Sequence, residues 1–420
     1  MNKKISILDS IMGSGKSTWA FNYMYEQIDE KFIYITPYLS EIERLLYEKD
    51  EDGNLLKDEN EKVIKSKWYK DRLFRQPIQL GEGKVESLQE LVRNGYSIAA
   101  THSLFKMMTQ ETIDLIKSGG YTLILDEAIA VMEVTENLSI SDYEMMVTSE
   151  KIEVGLEGRI KWVDEIYDGG FNEFRTMCEN GIMVEVKKTK KHQILCWNLK
   201  IESFKCFNEV YVLTYLFEAS LLSYYFKMYD MDFEKYCIED NSLVKYEDRK
   251  LYDKSSYREL IQLYDGNLNN IGDRPTNLSF NWFKKNKIKR VSLKNNMYNY
   301  FQHKVKAKGK DIIWTTFQKY RPDIAGKGYT NSFVPCNMKA TNAYKESTVL
   351  AYCCNRYRSP DFINYFFKFD IKIDQDIFAL SEIVQWCWRS SIREHNPIVL
   401  YVPSKRMRNL IKEWLNNEYI

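Results

Sequence analysis

Short apolar runs, each ending in a small or charged residue, recur along the first third of the chain. Ile5–Leu8, Phe32–Ile35, Ile98–Ala100 and Tyr121–Leu125 have strand length and are rich in β-branched and aromatic residues. Runs without polar alternation mark strands buried on both faces, the signature of a mostly parallel sheet covered by helices. Helical patterns follow the first two, from Trp19 to Met24 and around Glu41, Glu43 and Arg44. A further run, Val210–Leu213, continues this pattern. In the second half Asp311–Phe317 and Pro397–Val402 read as strands, and Leu380–Arg393 as a helix. Residues about 45–75 are highly charged and predict a solvated hairpin or helix. Residues about 131–208 separate two core strands by more than a connection needs and predict an insertion.

Candidate chemistry sits where the strands end. After Ile5–Leu8 comes Asp9-Ser10-Ile11-Met12-Gly13-Ser14-Gly15-Lys16-Ser17-Thr18, then the helix. Strand, glycine loop ending in Gly-Lys-Ser, and helix is the context of a phosphate-binding loop. Small residues let backbone N–H groups close around phosphates, and the helix N-terminus adds partial positive charge. Gly13, Ser14, Gly15, Lys16, Ser17 and Thr18 are therefore the expected nucleotide-binding residues. Lys16 is placed to reach the β- and γ-phosphates of ATP, and Ser17 to hold Mg2+. The first small position of the pattern, usually Gly or Ala, is Ser10 here. Tyr121–Leu125 ends in Asp126-Glu127. An Asp at the carboxyl end of a core strand can share the Mg2+, and the adjacent Glu can orient and deprotonate an attacking water.

Thr36 and the pair Thr101-His102 end two of the strands. A hydroxyl there can touch a nucleic-acid phosphate or cap the next helix. His102 faces the same choice, nucleic-acid path or hydrogen-bonded structural residue.

In order and character these motifs resemble those of superfamily 2 helicases and translocases of the DEAD/DEAH type, and are similar to phage-encoded replication or recombination helicases of Gram-positive bacteria. The resemblance implies ATP-driven movement on nucleic acid by two tandem RecA-like P-loop domains, here 1–235, carrying both insertions, and 236–420. It implies ATP and Mg2+ between them. It also extends to the end of the chain: Gln385, Arg389 and Arg393 look like motif VI, with a spacing that leaves open which Arg is the finger. The spacing of Gln385 and Arg389 puts both on one helix face. Val210–Ser220 resembles motif III without its usual Ser-Ala-Thr, so Thr214 and Ser220 are candidates beside a plain core strand. Thr315 and Thr316 resemble a phosphate-contacting segment of the second domain, and Ala340–Ala343 a degenerate motif V. The implied partner is DNA, single-stranded or forked, with RNA also allowed, and with other replication or recombination proteins as further partners.

Composition narrows the alternatives. Of 420 residues, 60 are Lys or Arg and 59 are Asp or Glu, so the net charge of +1 excludes a polybasic carrier. The charge is nonetheless uneven: residues 281–310 hold ten Lys or Arg and no Asp or Glu, with Trp282, Phe283, Tyr298, Tyr300 and Phe301 between them. This run reads equally as a phosphate track with stacking rings or as a solvated helix face. Eight Cys without a CxxC pair and four scattered His argue against zinc. No apolar stretch is long enough to span a membrane. The expectation is a reduced, cytoplasmic protein (host cytoplasm, if phage-encoded), for which tandem domains permit a working monomer. Two other readings stay open: a DNA-packaging motor with a nuclease, or a nucleotide-switched DNA-binding or origin factor.

Overall fold

In the computed structural model, residues 4–50, 53–68, 74–79, 83–135, 138–155, 158–188, 192–248, 255–336 and 343–417 are described. Contacts divide the chain into two units, Met1–Glu247 with Pro360–Ile373, and Asp248–Ser359 with Asp374–Ile420. The first unit thus runs past the expected limit at 235 and takes back a short piece from far downstream.

The first unit begins with β1 (Lys4–Asp9), β2 (Lys31–Thr36), β3 (Phe74–Arg75), β4 (Ser97–Thr101) and β5 (Tyr121–Asp126). An excursion follows, with β6 (Met132–Thr135), β7 (Ile152–Val154), β8 (Arg159–Trp162), β9 (Gly181–Lys188) and β10 (Gln193–Leu199). The chain returns through β11 (Glu209–Thr214), β12 (Glu234–Glu239) and β13 (Ser242–Lys245). An eight-stranded sheet has the order β13-β12-β1-β11-β5-β2-β4-β3. Its pairings are parallel except for the β12–β13 hairpin. Both faces are covered. Ile5, Ile7, Ile33, Ile35, Leu123 and Leu125 face one core, and Leu8, Phe32, Tyr34 and Ile124 the other. This is why the strands read as unbroken apolar runs.

The 131–208 insertion is a five-stranded antiparallel sheet in the order β6-β10-β9-β8-β7. The helix Pro360–Phe367 belongs to the same unit: Tyr365, Phe366 and Ile373 are buried in its core, and Asn198 Nδ2 donates to Tyr365 Oη at 2.8 Å. In the 45–75 segment, antiparallel bridges Tyr47–Lys65, Lys49–Leu55 and Lys57–Val63 make exposed hairpin ladders. Trp68 anchors them by donating to Asn22 Oδ1 at 2.8 Å.

The second unit holds β14 (Ile261–Leu263), β15 (Ile312–Thr315), β16 (Val349–Tyr352) and β17 (Ile398–Tyr401). They form a parallel sheet in the order β14-β17-β16-β15. The basic run 281–310 lies beside this sheet on helices and a π-helical turn. Here the structure corrects the stacking reading: Trp282, Phe283, Tyr300 and Phe301 are buried in the core, so only Tyr298 of the five rings is exposed. The lysines stay outside. Lys284, Lys285, Lys287, Lys289, Lys304 and Lys306 are exposed, while Arg290 pairs with Asp323.

Candidate functional site

The carboxyl edge of the large sheet gathers the expected residues. Gly13 and Gly15 adopt positive φ, 83° and 86°. This left-handed region is why glycine is required at both turns. Gly15 caps helix α1 (Lys16–Glu26), whose first turn keeps N–H groups without intrahelical partners. Lys16 Nζ donates back to the carbonyls of Ser10 (2.5 Å) and Ile11 (2.8 Å). Ser14 Oγ is buried and finds no hydrogen-bond partner among the described residues. A cradle of N–H groups at a helix start, with an orphaned hydroxyl and a lysine at its rim, suits a polyphosphate.

Asp126 ends β5, one strand away from β1. Its carboxylate lies 3.4 and 3.5 Å from Ser17 Oγ and accepts from Tyr34 Oη at 2.8 Å. Burial, reinforced by the Glu127 charge, pushes the Asp126 carboxyl up to about 7, against a smaller lowering by the Tyr34 hydroxyl. A hydroxyl and a carboxylate facing each other beside a phosphate cradle match the sparse protein ligation of Mg2+, which keeps waters and takes phosphate oxygens. Among the described residues no group of three or more His, Cys, Asp or Glu could hold a metal.

The intervening strand β11, expected as a degenerate motif III or a plain core strand, joins both motifs. Thr214 O accepts from Ser10 N (3.1 Å), and Leu213 O from Glu127 N (2.9 Å). Just beyond it Leu216 N and Phe217 N donate to the buried Asp9 carboxylate at 2.8 and 3.0 Å. Lys235 Nζ lies 3.3 Å from the same carboxylate. Glu127 and Leu216 both hold positive φ, 66° and 54°, an uncommon conformation for residues with a side chain. Ser220 serves as the N-cap of the helix Leu221–Met228.

Two features escape sequence reasoning. Ser10, the departure from the usual glycine, accepts through Oγ from Ile238 N of β12 at 2.8 Å. The hydroxyl therefore fastens the β12–β13 hairpin to the phosphate-type loop. The hairpin turn, Asp240-Asn241, brings Asn241 Oδ1 within 3.7 Å of where a Cβ on Gly15 would stand. Second, Arg44 Nη2 donates to Thr18 Oγ1 (3.3 Å) and pairs with Glu41 (3.0 Å), tying the helix Leu39–Leu46 to α1. The cue was visible as Glu41 and Arg44 three apart on one helix.

The strand-end hydroxyls have mostly internal roles. Thr36, Thr315 and Thr316 are fully buried, and Thr316 Oγ1 donates to Cys353 O at 3.1 Å. Thr101 caps the helix His102–Lys106, and buried His102 places Nε2 3.0 Å from Asp126 O. Four of the five are buried and Thr101 is half-buried. His102 instead ties the end of β4 to the Asp126-Glu127 turn.

In the second unit the expected helical face is cut short. The helix spans Gln375–Cys387, so Gln385 sits in its last turn and bonds Ser381 Oγ (3.1 Å), whereas Arg389 lies beyond its end. Arg389 is buried, and Arg393 is exposed on a 3-10 turn, Ser391–Glu394. Both lie on the connection that enters the amino end of β17, the opposite sheet edge from Thr315 and Thr316. In the motif V segment, residues 340–342 lie outside the described residues. Among the described residues no helix is long and apolar enough to cross a membrane.

Comparison with known proteins finds two family models on this chain. Residues 133–197, the antiparallel insertion, match the "YonV middle domain", and residues 255–415 match the "YonV C-terminal Rossmann-like domain". Over its full length the chain is similar to the SPbeta prophage-derived uncharacterized protein YonV of Bacillus subtilis strain 168. The two are 37% identical over 435 residues, covering 99% of this chain and 100% of the relative.

Proposed function

The chain belongs to the YonV family, and from that premise we propose that it is an ATP-hydrolysing helicase or translocase acting on DNA in phage replication or recombination. The observation that carries the reading is Asp126 facing Ser17 across β11, with Glu127 on the next turn. The N–H groups at the start of α1, Ser14 Oγ and Lys16 would hold the phosphates, Lys16 exchanging its two loop carbonyls for phosphate oxygens. Ser17 and Asp126 would hold Mg2+. When bound, that ion neutralises charge on the β- and γ-phosphates. Glu127 orients a water and accepts its proton. Both parallel sheets are read as RecA-like, and the arginine finger is assigned to the second unit, to Arg389 or Arg393. The exposed lysines of 281–310 contribute phosphate contacts without stacking. The reading is tested with Lys16→Ala: ATP turnover stimulated by single-stranded DNA should fall to background. Unchanged stimulated turnover overturns it.

A further inference from the structure

The inserted antiparallel sheet has a recess that ATP chemistry does not use. A groove of about 830 Å3 is bounded by β8, β9 and β10, the end of the helix Leu221–Met228 and the helix Pro360–Phe367, with Arg159, Val184, Lys187, Tyr229, Lys368 and Phe369 among its walls. Its charges are unequally committed. Lys187 pairs with Asp361, and Lys188 with Glu144 at 2.8 Å. Glu185, the acid in the wall, accepts from Tyr143 Oη at 2.6 Å and from Gln193 Nε2 at 3.3 Å. Arg159 and Lys368 make no ion pair among the described residues.

The same groove is lined by aromatic rings. Tyr365 and Phe369 stand 5.5 Å apart, Phe369 is 41% exposed, and Tyr229 is half-buried. The Arg159 charge counters, in part, the burial that pushes the Tyr229 and Tyr365 hydroxyls up. Uncommitted cations beside an exposed ring attract an anion that also has a flat apolar face. A duplex keeps its bases inside the stack, whereas a single strand can offer them to a ring.

We propose that this groove binds single-stranded nucleic acid, with Arg159 and Lys368 on its phosphates and Phe369 against a base. The proposal rests on the reading above that the partner is nucleic acid, and adds where a strand is held, between the sheet of the family's middle domain and the helix Pro360–Phe367.

The test is fluorescence anisotropy of labelled oligo-dT with the full chain, comparing wild type, the double variant Arg159→Glu/Lys368→Glu, and Phe369→Ala. The double variant should bind at least tenfold more weakly at low salt. Its log affinity–log salt slope should flatten by about 1.4, the share of two single-strand phosphates. Phe369→Ala should lose about five- to hundredfold. ATP turnover without nucleic acid should be unchanged in both, because none of the three residues touches the phosphate-type loop. Equal affinity and slope in the double variant overturn the proposal, as does wild type that fails to bind oligo-dT. Oligo-dT binding lost in the variants, together with Lys16→Ala keeping its turnover, fails the motor reading and leaves the groove standing. The reverse pattern fails the groove alone.

Discussion

The eight-stranded and four-stranded sheets are both mostly parallel and are equipped differently. In the first unit the carboxyl ends of β1 and β5 deliver a glycine loop, a lysine, a serine and two acids to one edge. In the second, the carboxyl ends of β15 and β16 deliver Thr315-Thr316 and Cys353-Cys354, all buried and uncharged. Its charged candidates, Arg389 and Arg393, sit toward the opposite edge. Parallel strand pairing therefore says little about chemistry. What separates the two edges is one glycine loop and one acidic turn, each pinned by the carbonyls of β11.

The sharpest way to break this contrast is to ask whether the second sheet takes part in the reaction at all. Replacing a true finger should lower the ATP turnover number by about 10^3–10^5 with nucleotide binding kept. Exposed Arg393 is expected to show the loss as Arg393→Ala, and buried Arg389 to show little as Arg389→Lys; steady-state turnover beside a nucleotide-binding titration checks both. A second unit without a role would leave both variants at the wild-type rate. Next in size, Glu127→Gln should cut turnover by about 10^2–10^4 and leave ATP affinity intact, as single-turnover and equilibrium binding measurements would show. Loss of affinity instead would make Glu127 part of the turn's scaffold. A smaller effect is expected from Lys284→Glu/Lys285→Glu. If these lysines contact two single-strand phosphates, the salt dependence of binding should flatten by about 1.4. The smallest is Ser10→Ala, which leaves Ile238 N–H without its acceptor and should cost about 1–3 kcal/mol. Denaturant titration and faster amide exchange at Ile238 measure it, and an unchanged exchange rate would mean the hairpin is held by its ladder alone.

Much of the first unit was legible because its strands are buried on both faces, which leaves unbroken apolar runs ending at functional residues. The loop at Asp9–Thr18 and the turn at Asp126-Glu127 follow from that pattern. The strand β12 did not, because Glu234-Lys235-Tyr236 is a polar stretch on a strand that pairs with β1 on one side and with only the short hairpin strand β13 on the other. The rings of 281–310 stayed open between stacking and packing because interspersed lysines suit either. Their spacing held the better signal: Leu293, Met297, Tyr300 and Phe301 recur at helical intervals and form one buried stripe. The end of the helix at Cys387 carries no glycine or proline, so the continuation to Arg389 and Arg393 had nothing in the sequence to interrupt it. Among the strand-end threonines, Thr101 caps a helix and Thr316 donates to a carbonyl, roles a hydroxyl fills as readily as it meets a phosphate.

The return of Pro360–Ile373 to the first unit bears on how the chain is made. Tyr365, Phe366 and Ile373 complete a core whose other members are all encoded before residue 230. A ribosome working from the amino end must therefore deliver most of the second unit before the first receives its last piece. Until then the apolar surface awaiting those side chains stays uncovered. A fragment ending near residue 247 would stay in that state, and one beginning at 248 would carry Tyr365 and Phe366 with nowhere to bury them. The two units are thus inseparable at the level of the gene: no single cut yields both whole.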